Sequence, residues 1–467
     1  MISINLNSLF SLKFRKLLIF CFAIIGFIFL AMLPHINDDK YRIIMLYLVN
    51  ACVMLLIILY KNSLNKFGIC IFCFLCVQLF TLAPNPDNMP LLMSSGYVLS
   101  FRYGVSSRSF IPTIVDFFSG GGFISKYFVW HFIFSAKILY SFIISVFLGF
   151  VIDKETNNVK MFLILLSLLY LSSFTAPYGY FIPGHFGVFE MYALFVVFFA
   201  LVIMNKPLIR WIMPLMALIT MAIHINLVFF YIPLIIVLLM YGVLEKPGKN
   251  NKSIPLLIIT IITIGSAFLL YYLFRERTFV FKDVSDFFEY LSAKSDLYFT
   301  VELLSGLMFS SLQDHLDYYV AYFNSTNRAI LRVLINIPIL LCFIFFWIKC
   351  FCLENMKSMK VFFLLPICIL IYQAPVFFIF IDYARWMIMI LNVQFVLLFY
   401  LIYVKNTTVL TIVNVVTPYI RNNIFFVILL FLIMMYLGAV QAMSSQTGEG
   451  SFNNVRDILG IFLNFFS

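Results

Sequence analysis

Apolar side chains run along this chain in stretches longer than a soluble helix or a buried strand uses. A membrane-crossing helix takes about 20 mostly apolar residues, within a range of about 17–25. Such runs fall near 17–33, 43–60, 67–83, 127–151, 161–177, 191–204, 211–223, 227–243, 253–274, 329–348, 361–381, 387–404 and 424–441. They predict an all-α polytopic transmembrane bundle of roughly 11–14 spans, with residues 1–467 as a single transmembrane domain. The stretch from Trp211 to Val243 is too long for one span and short for two, and Pro214, His224, Asn226 and Pro233 interrupt it. The pattern reads best as a hairpin turning at His224-Ile225-Asn226, with a broken or re-entrant pair close behind.

Polar segments separate the runs. Two of them are large, at 84–126 and 275–328. The second carries apolar and polar residues at helical spacing, which predicts amphipathic helices against the membrane or over a cavity. The remaining connections are short, and 406–420 reads as an interfacial stretch. Lys13, Arg15 and Lys16 precede the first run without a convincing cleavage site, which predicts an uncleaved first span with a cytoplasmic N-terminus. On that topology both large loops face outward. Only Asp153, Glu155, Glu245 and Glu354 among the acids fall on cytoplasmic connections.

Composition agrees with the runs. The chain is 64% hydrophobic and 11% charged, less than half the charged share of a soluble domain, which is about a quarter. Mean hydropathy is +1.05. The net charge of +11 is spread over short loops. That signals topology and excludes a clustered nucleic-acid-binding face. The cytoplasmic connections have no room for an ATPase or dinucleotide module, and no phosphate-binding loop is present. Cys70, Cys73 and Cys76 share one apolar run without a His or acid nearby, which is packing and not a metal site. No metal and no cofactor is expected.

Four polar places stand out, because charge near a membrane is costly and marks function. The first is SSGYVLSFRYGVSSRSFIPTIVDFF, 94–118. Arg102 and Arg108 offer planar forks for phosphate oxygens, beside Tyr97 and Tyr103 for stacking. Asp116, and Asp87 outside the segment, are candidate bases. The second is PYGYFIPGHFGVFE, 177–190, where His185 and Glu190 lie five apart and can orient one another or a hydroxyl. The third is the polar break at His224 and Asn226. The fourth is IDYARW, 381–386, with Asp382 and Arg385 three apart beside Trp386. Each has a plainer reading as loop charges, a rigid turn, structural hydrogen bonding or a local ion pair. His131, Lys137 and Arg332 are weaker candidates. All four places fall on one side by one topology.

This layout resembles bacterial O-antigen (Wzy-type) polymerases and related GT-C glycosyltransferases. Three segments are similar to elements of envelope-glycan membrane proteins: YGVSSRSFIPTI (103–114), IHINLVFFYIP (223–233) and DYARW (382–386). Ile225 stands where such proteins often carry an acid after the histidine. The resemblance implies a GT-C-like fold in the bacterial inner membrane. It implies transfer of an undecaprenyl-pyrophosphate-linked oligosaccharide to a hydroxyl of a second lipid-linked unit on the periplasmic face. Asp382, His185, Glu190 or Asp116 would act catalytically. Arg102, Arg108, Arg385, His224 and Tyr103 would bind substrate. Tyr178, Tyr180 and Phe186 would stack on sugars. Partners would be the bilayer, the lipid-linked glycan, and a chain-length regulator and flippase of the same pathway. Rival readings are a flippase for the lipid-linked unit, a modifying glycosyl- or acyltransferase, and a purely structural membrane protein.

Overall fold

The computed structural model describes residues 12–61, 65–89, 95–172, 186–204, 206, 208–245, 252–274, 278–305, 317, 337–374, 376, 383–425 and 428. Among them the chain is all-helical and contains no strands. Among the described residues six helices are long and apolar enough to cross a membrane: Lys16–His35, Asp39–Leu59, Lys126–Asp153, Ile225–Leu244, Ser253–Phe274 and Trp386–Tyr403. Five further apolar helices are shorter. The chain divides into two compact units interleaved in sequence.

Unit 1 comprises residues 1–155, 185–191 and 274–309. Its frame is α1 (Leu12–Met32), α2 (Asp39–Lys61), α3 (Lys66–Leu82) and α5 (Lys126–Asp153). Helix α2 packs on α1 and α5, and α3 packs on α5. At 28 residues α5 spans roughly 42 Å, longer than a hydrocarbon core. Ser125 starts it by accepting from the Tyr127 and Phe128 amides. Where α3 crosses α5, Asn65 caps α3 and donates to Gly149 O at 2.6 Å. A Cβ on Gly149 would meet the Gly68 backbone at 2.8 Å, so only glycine permits this approach. Polar pairs bridge α2 and α5 within the apolar frame: Tyr47 with His131 Nδ1 at 3.0 Å, and Asn50 with the Ser135 carbonyl at 2.8 Å. Polar pairs of this kind hold membrane helices together.

Unit 2 comprises 156–184, 192–273 and 310–467. Its helices are α6 (Asn157–Ser172), α7 (Glu190–Met204, whose first residues belong to unit 1), α8 (Met213–Ile223) and α9 (Tyr231–Leu244). They continue with α10 (Ser253–Phe274), α13 (Ile337–Leu353), α14 (Lys357–Gln373), α15 (Tyr383–Tyr403) and α16 (Thr407–Asn422). The expected break is present. His224 is extended, 225–229 form a 3-10 turn, and α8 and α9 touch across it. At one end of α9, Tyr241 donates to Glu245. Glu354 takes the Thr408 hydroxyl at 2.6 Å and the Asn355 and Met356 amides. Burial pushes the Glu354 carboxyl up, but these bonds outweigh it and hold it below the usual glutamate range.

Several expected runs differ from the helices at their described ends. The run 161–177 belongs to a helix that begins at Asn157, and 361–381 to one that begins at Lys357. An apolar run marks contact with hydrocarbon, whereas a helix continues into polar residues until a cap stops it. The stretch 406–420 is a helix capped by Asn406 and packed on α6 and α13. The last expected run, 424–441, lies almost wholly outside the described residues.

Candidate functional site

In unit 1 the two large loops, far apart in sequence, fold onto each other. The first holds α4 (Phe110–Phe118), and the second holds α11 (Val284–Lys294) and the short α12 (Val301–Leu304). Val280 N donates to Tyr103 O at 3.1 Å, and Val105 N to Thr278 Oγ1 at 3.0 Å. Ile124 N donates to Lys294 O at 2.8 Å, and Ser295 Oγ to Ile124 O at 2.7 Å. Asp283 caps α11 through Ser285 N, and the helix turns Phe287 and Leu291 inward, as its amphipathic spacing predicts. Phe287 is fully buried, 5.5 Å from the Tyr103 ring and 4.9 Å from that of Phe281. Gly104, at φ +134°, makes this docking possible, since a Cβ there would meet Thr278 O and Phe279 at 3.1 Å.

Three of the expected site residues come together on this base. Ser100 Oγ donates to Asp116 Oδ2 at 3.2 Å and accepts from Arg102 N at 3.3 Å. Phe101 N donates to Thr113 Oγ1 at 2.8 Å, which ties the 3-10 turn Phe101–Tyr103 to α4. Arg102 is exposed, and its Nη1 donates to Gly121 O at a long 3.4 Å. Asp116 is half-buried. Tyr103 is buried, and burial together with the Asp116 charge raises its hydroxyl well above the usual tyrosine range, while Arg102 acts in the opposite sense. The phenol therefore stays protonated and can donate. Arg108 sits half-buried just before α4, where its amide meets Ser106 Oγ at 3.3 Å.

The second place meets the first in unit 1. Tyr97 donates to Gly187 O at 3.0 Å, and its ring stacks on Phe189 at 4.9 Å. Phe186 stacks on Trp130. Lys137, fully buried in α5, holds its ammonium 5.0 Å from the Phe186 ring centre. Glu190 is 1% exposed at the start of α7. His185, Tyr178 and Tyr180 lie outside the described residues. Asp87, exposed, pairs with Lys126 at 2.5 Å, and that ammonium holds its carboxyl below the usual range.

The third and fourth places meet in unit 2. The His224 ring lies 6.4 Å from Trp386 at 25°, and Phe230 stacks on Trp386 at 5.1 Å and 3°. Arg385 is placed in the first turn of α15 by its backbone alone. Asp382 and Arg332 lie outside the described residues.

Sequence reasoning passed over two groups. Arg42 is 4% exposed; it pairs with Asp39 at 2.7 Å, donates to Ile36 O at 2.6 Å and Ser119 O at 3.5 Å, and lies over Phe128. It locks the turn between α1 and α2 to the first large loop. Its signal was Asp39, three residues earlier at a helix start. Gln373 is fully buried, and its signal was a single amide inside an apolar run. Among the described residues no group of three or more His, Cys, Asp or Glu is arranged to hold a metal. Comparison with protein-family models, curated proteins and solved structures finds no match to this chain.

Proposed function

We propose that this chain is a glycosyltransferase of the bacterial inner membrane, working on its periplasmic face on glycans carried by a polyprenyl pyrophosphate, as an O-antigen polymerase of GT-C-like fold. The observation that carries the reading is the docking of loops 95–125 and 278–305, which sets Arg102, Tyr103 and Asp116 together on a rigid aromatic base. In the proposed reaction the acceptor hydroxyl oxygen attacks the anomeric carbon of the donor. The bond from that carbon to the pyrophosphate oxygen breaks, and the electron pair leaves on the lipid pyrophosphate. Asp116 takes the acceptor proton. Arg102 neutralises the departing pyrophosphate, a role suited to a planar guanidinium with free donors. The protonated Tyr103 hydroxyl adds a donor to the same cluster.

Deleting the gene and resolving surface lipopolysaccharide on a gel tests this. Single-unit capping with loss of the ladder, restored by wild type and not by Asp116→Asn, is the expected result. An unchanged ladder with altered serology replaces the polymerase with a modifying transferase.

Lys137 favours a second reading. A fully buried lysine about 17 Å along α5 from its start is the kind of interior ionisable group a lipid-linked-unit flippase uses. Loss of every surface repeat unit on deletion selects that reading.

A further inference from the structure

In unit 2 several polar side chains are buried inside apolar helices, and most are satisfied. Trp347 donates to Gln394 Oε1 at 2.7 Å, Gln394 donates to Pro366 O at 3.4 Å, and Tyr170 donates to Asn392 Oδ1 at 3.0 Å. Gln373 differs. It is 0% exposed, and neither its amide nitrogen nor its amide oxygen has a hydrogen-bond partner among the described residues. A buried amide with both ends empty is costly, because each group has lost its water and gained nothing.

Its position follows from helix register. The bond from Gln394 to Pro366 O pairs those positions on α14 and α15. Tyr241 against Phe362 and Phe229 against Tyr372 run α9 antiparallel to α14. Seven residues along α14 from Pro366 is Gln373, and seven or eight residues back along α15 from Gln394 are Met387 and Trp386. The turn that carries Gln373 therefore lies at the same end of unit 2 as the 3-10 turn after His224 and the Phe230–Trp386 stack.

We propose that the Gln373 amide is a ligand contact of a site at this end of unit 2, and that it takes neutral sugar hydroxyls. An uncharged amide offers two donors and an acceptor. A pyrophosphate only accepts and would leave the amide oxygen empty, and a hydrocarbon tail satisfies neither end. A pair of hydroxyls satisfies both. Trp386 and His224 lie at the same end of unit 2. This deepens the proposed function, resting on the reading that the chain handles a lipid-linked glycan, and places a glycan-specificity residue at Gln373.

The test uses the full chain purified in detergent. Two probes are titrated while the melting midpoint is followed: polyprenyl pyrophosphate bearing the glycan, extracted from the same cells, and bare polyprenyl pyrophosphate. For wild type the glycan-bearing probe raises the midpoint by a few degrees more than the bare one. Gln373→Met starts from a higher midpoint without probe, since it removes an unpartnered buried amide, and loses the glycan-dependent difference. A Gln373→Met protein that keeps that difference, or a wild type that shows none, overturns the proposal. A wild type that shows the difference yet forms no polymer from the same probe leaves the glycan site standing and removes the polymerase. Should Gln373→Met fail to fold, Gln373→Asn, which keeps the amide but shortens its reach, is expected to weaken glycan binding at least tenfold. Unchanged binding there counts against the contact.

Discussion

The docked loops of unit 1 and the helices of unit 2 bond their polar groups differently. In the loops of unit 1, segment meets segment through bonds that are made: Tyr103 O with Val280 N, Ile124 with Lys294 and Ser295, Asp116 with Ser100. Inside the helices of unit 2 Gln394 is satisfied, but Gln373 and the Asn392 Nδ2 are not. The bonded loops hold Arg102 and Asp116, the proposed reacting groups, while the empty Gln373 amide is the proposed sugar contact. A satisfied network holds a frame, and buried groups left empty mark where something else arrives.

The sharpest way to break the comparison is Asp116→Asn. The amide oxygen can still accept from Ser100 Oγ, so the loops keep their fold, while polymer formation falls about 100-fold or more if the carboxylate is the base. A ladder assay on protein that inserts normally measures it. Next in size is Phe287→Ala, which removes the ring under Tyr103 and costs about 3–5 kcal/mol of loop docking. Limited proteolysis is expected to cut at 278–305 in the variant, while the melting of unit 2 stays unchanged. In unit 2, Glu354→Gln weakens bonds to the Thr408 hydroxyl and two amides and costs about 1.5–3 kcal/mol. Because the folded carboxyl lies below its ordinary value, that contribution is complete above the ordinary glutamate range, about pH 4.3, and is lost as pH falls through the folded value. Wild type and variant should therefore converge in acid. Smallest is Asp87→Asn. The Asp87–Lys126 pair is exposed, so no change in melting is expected at neutral pH, and any difference again vanishes in acid, since the Asp87 carboxyl is also held low.

Much of the frame was legible in the pattern of apolar runs, because hydrocarbon imposes length and composition on each crossing helix. The amphipathic α11 and the break at His224 were legible too, from spacing and from polar residues in apolar surroundings. The grouping of the four polar places was not. Nothing local in 94–118 says that Tyr103 lies against Phe287, or in 223–233 that Phe230 stacks on Trp386. Those partners are about 150–180 residues away, and tertiary packing alone chooses them. Arg42 and Gln373 escaped notice for the same reason: burial decides what each does, and burial is a property of the folded chain.

The account depends on which side of the membrane the docked loops face. The direct measurement is labelling of intact cells with a membrane-impermeant maleimide, using single cysteines at Arg102 and Glu245 in a cysteine-free background. The account predicts that Arg102→Cys labels from outside and Glu245→Cys labels only after the membrane is opened. Labelling with the two positions reversed would place the loops in the cytosol and contradict it.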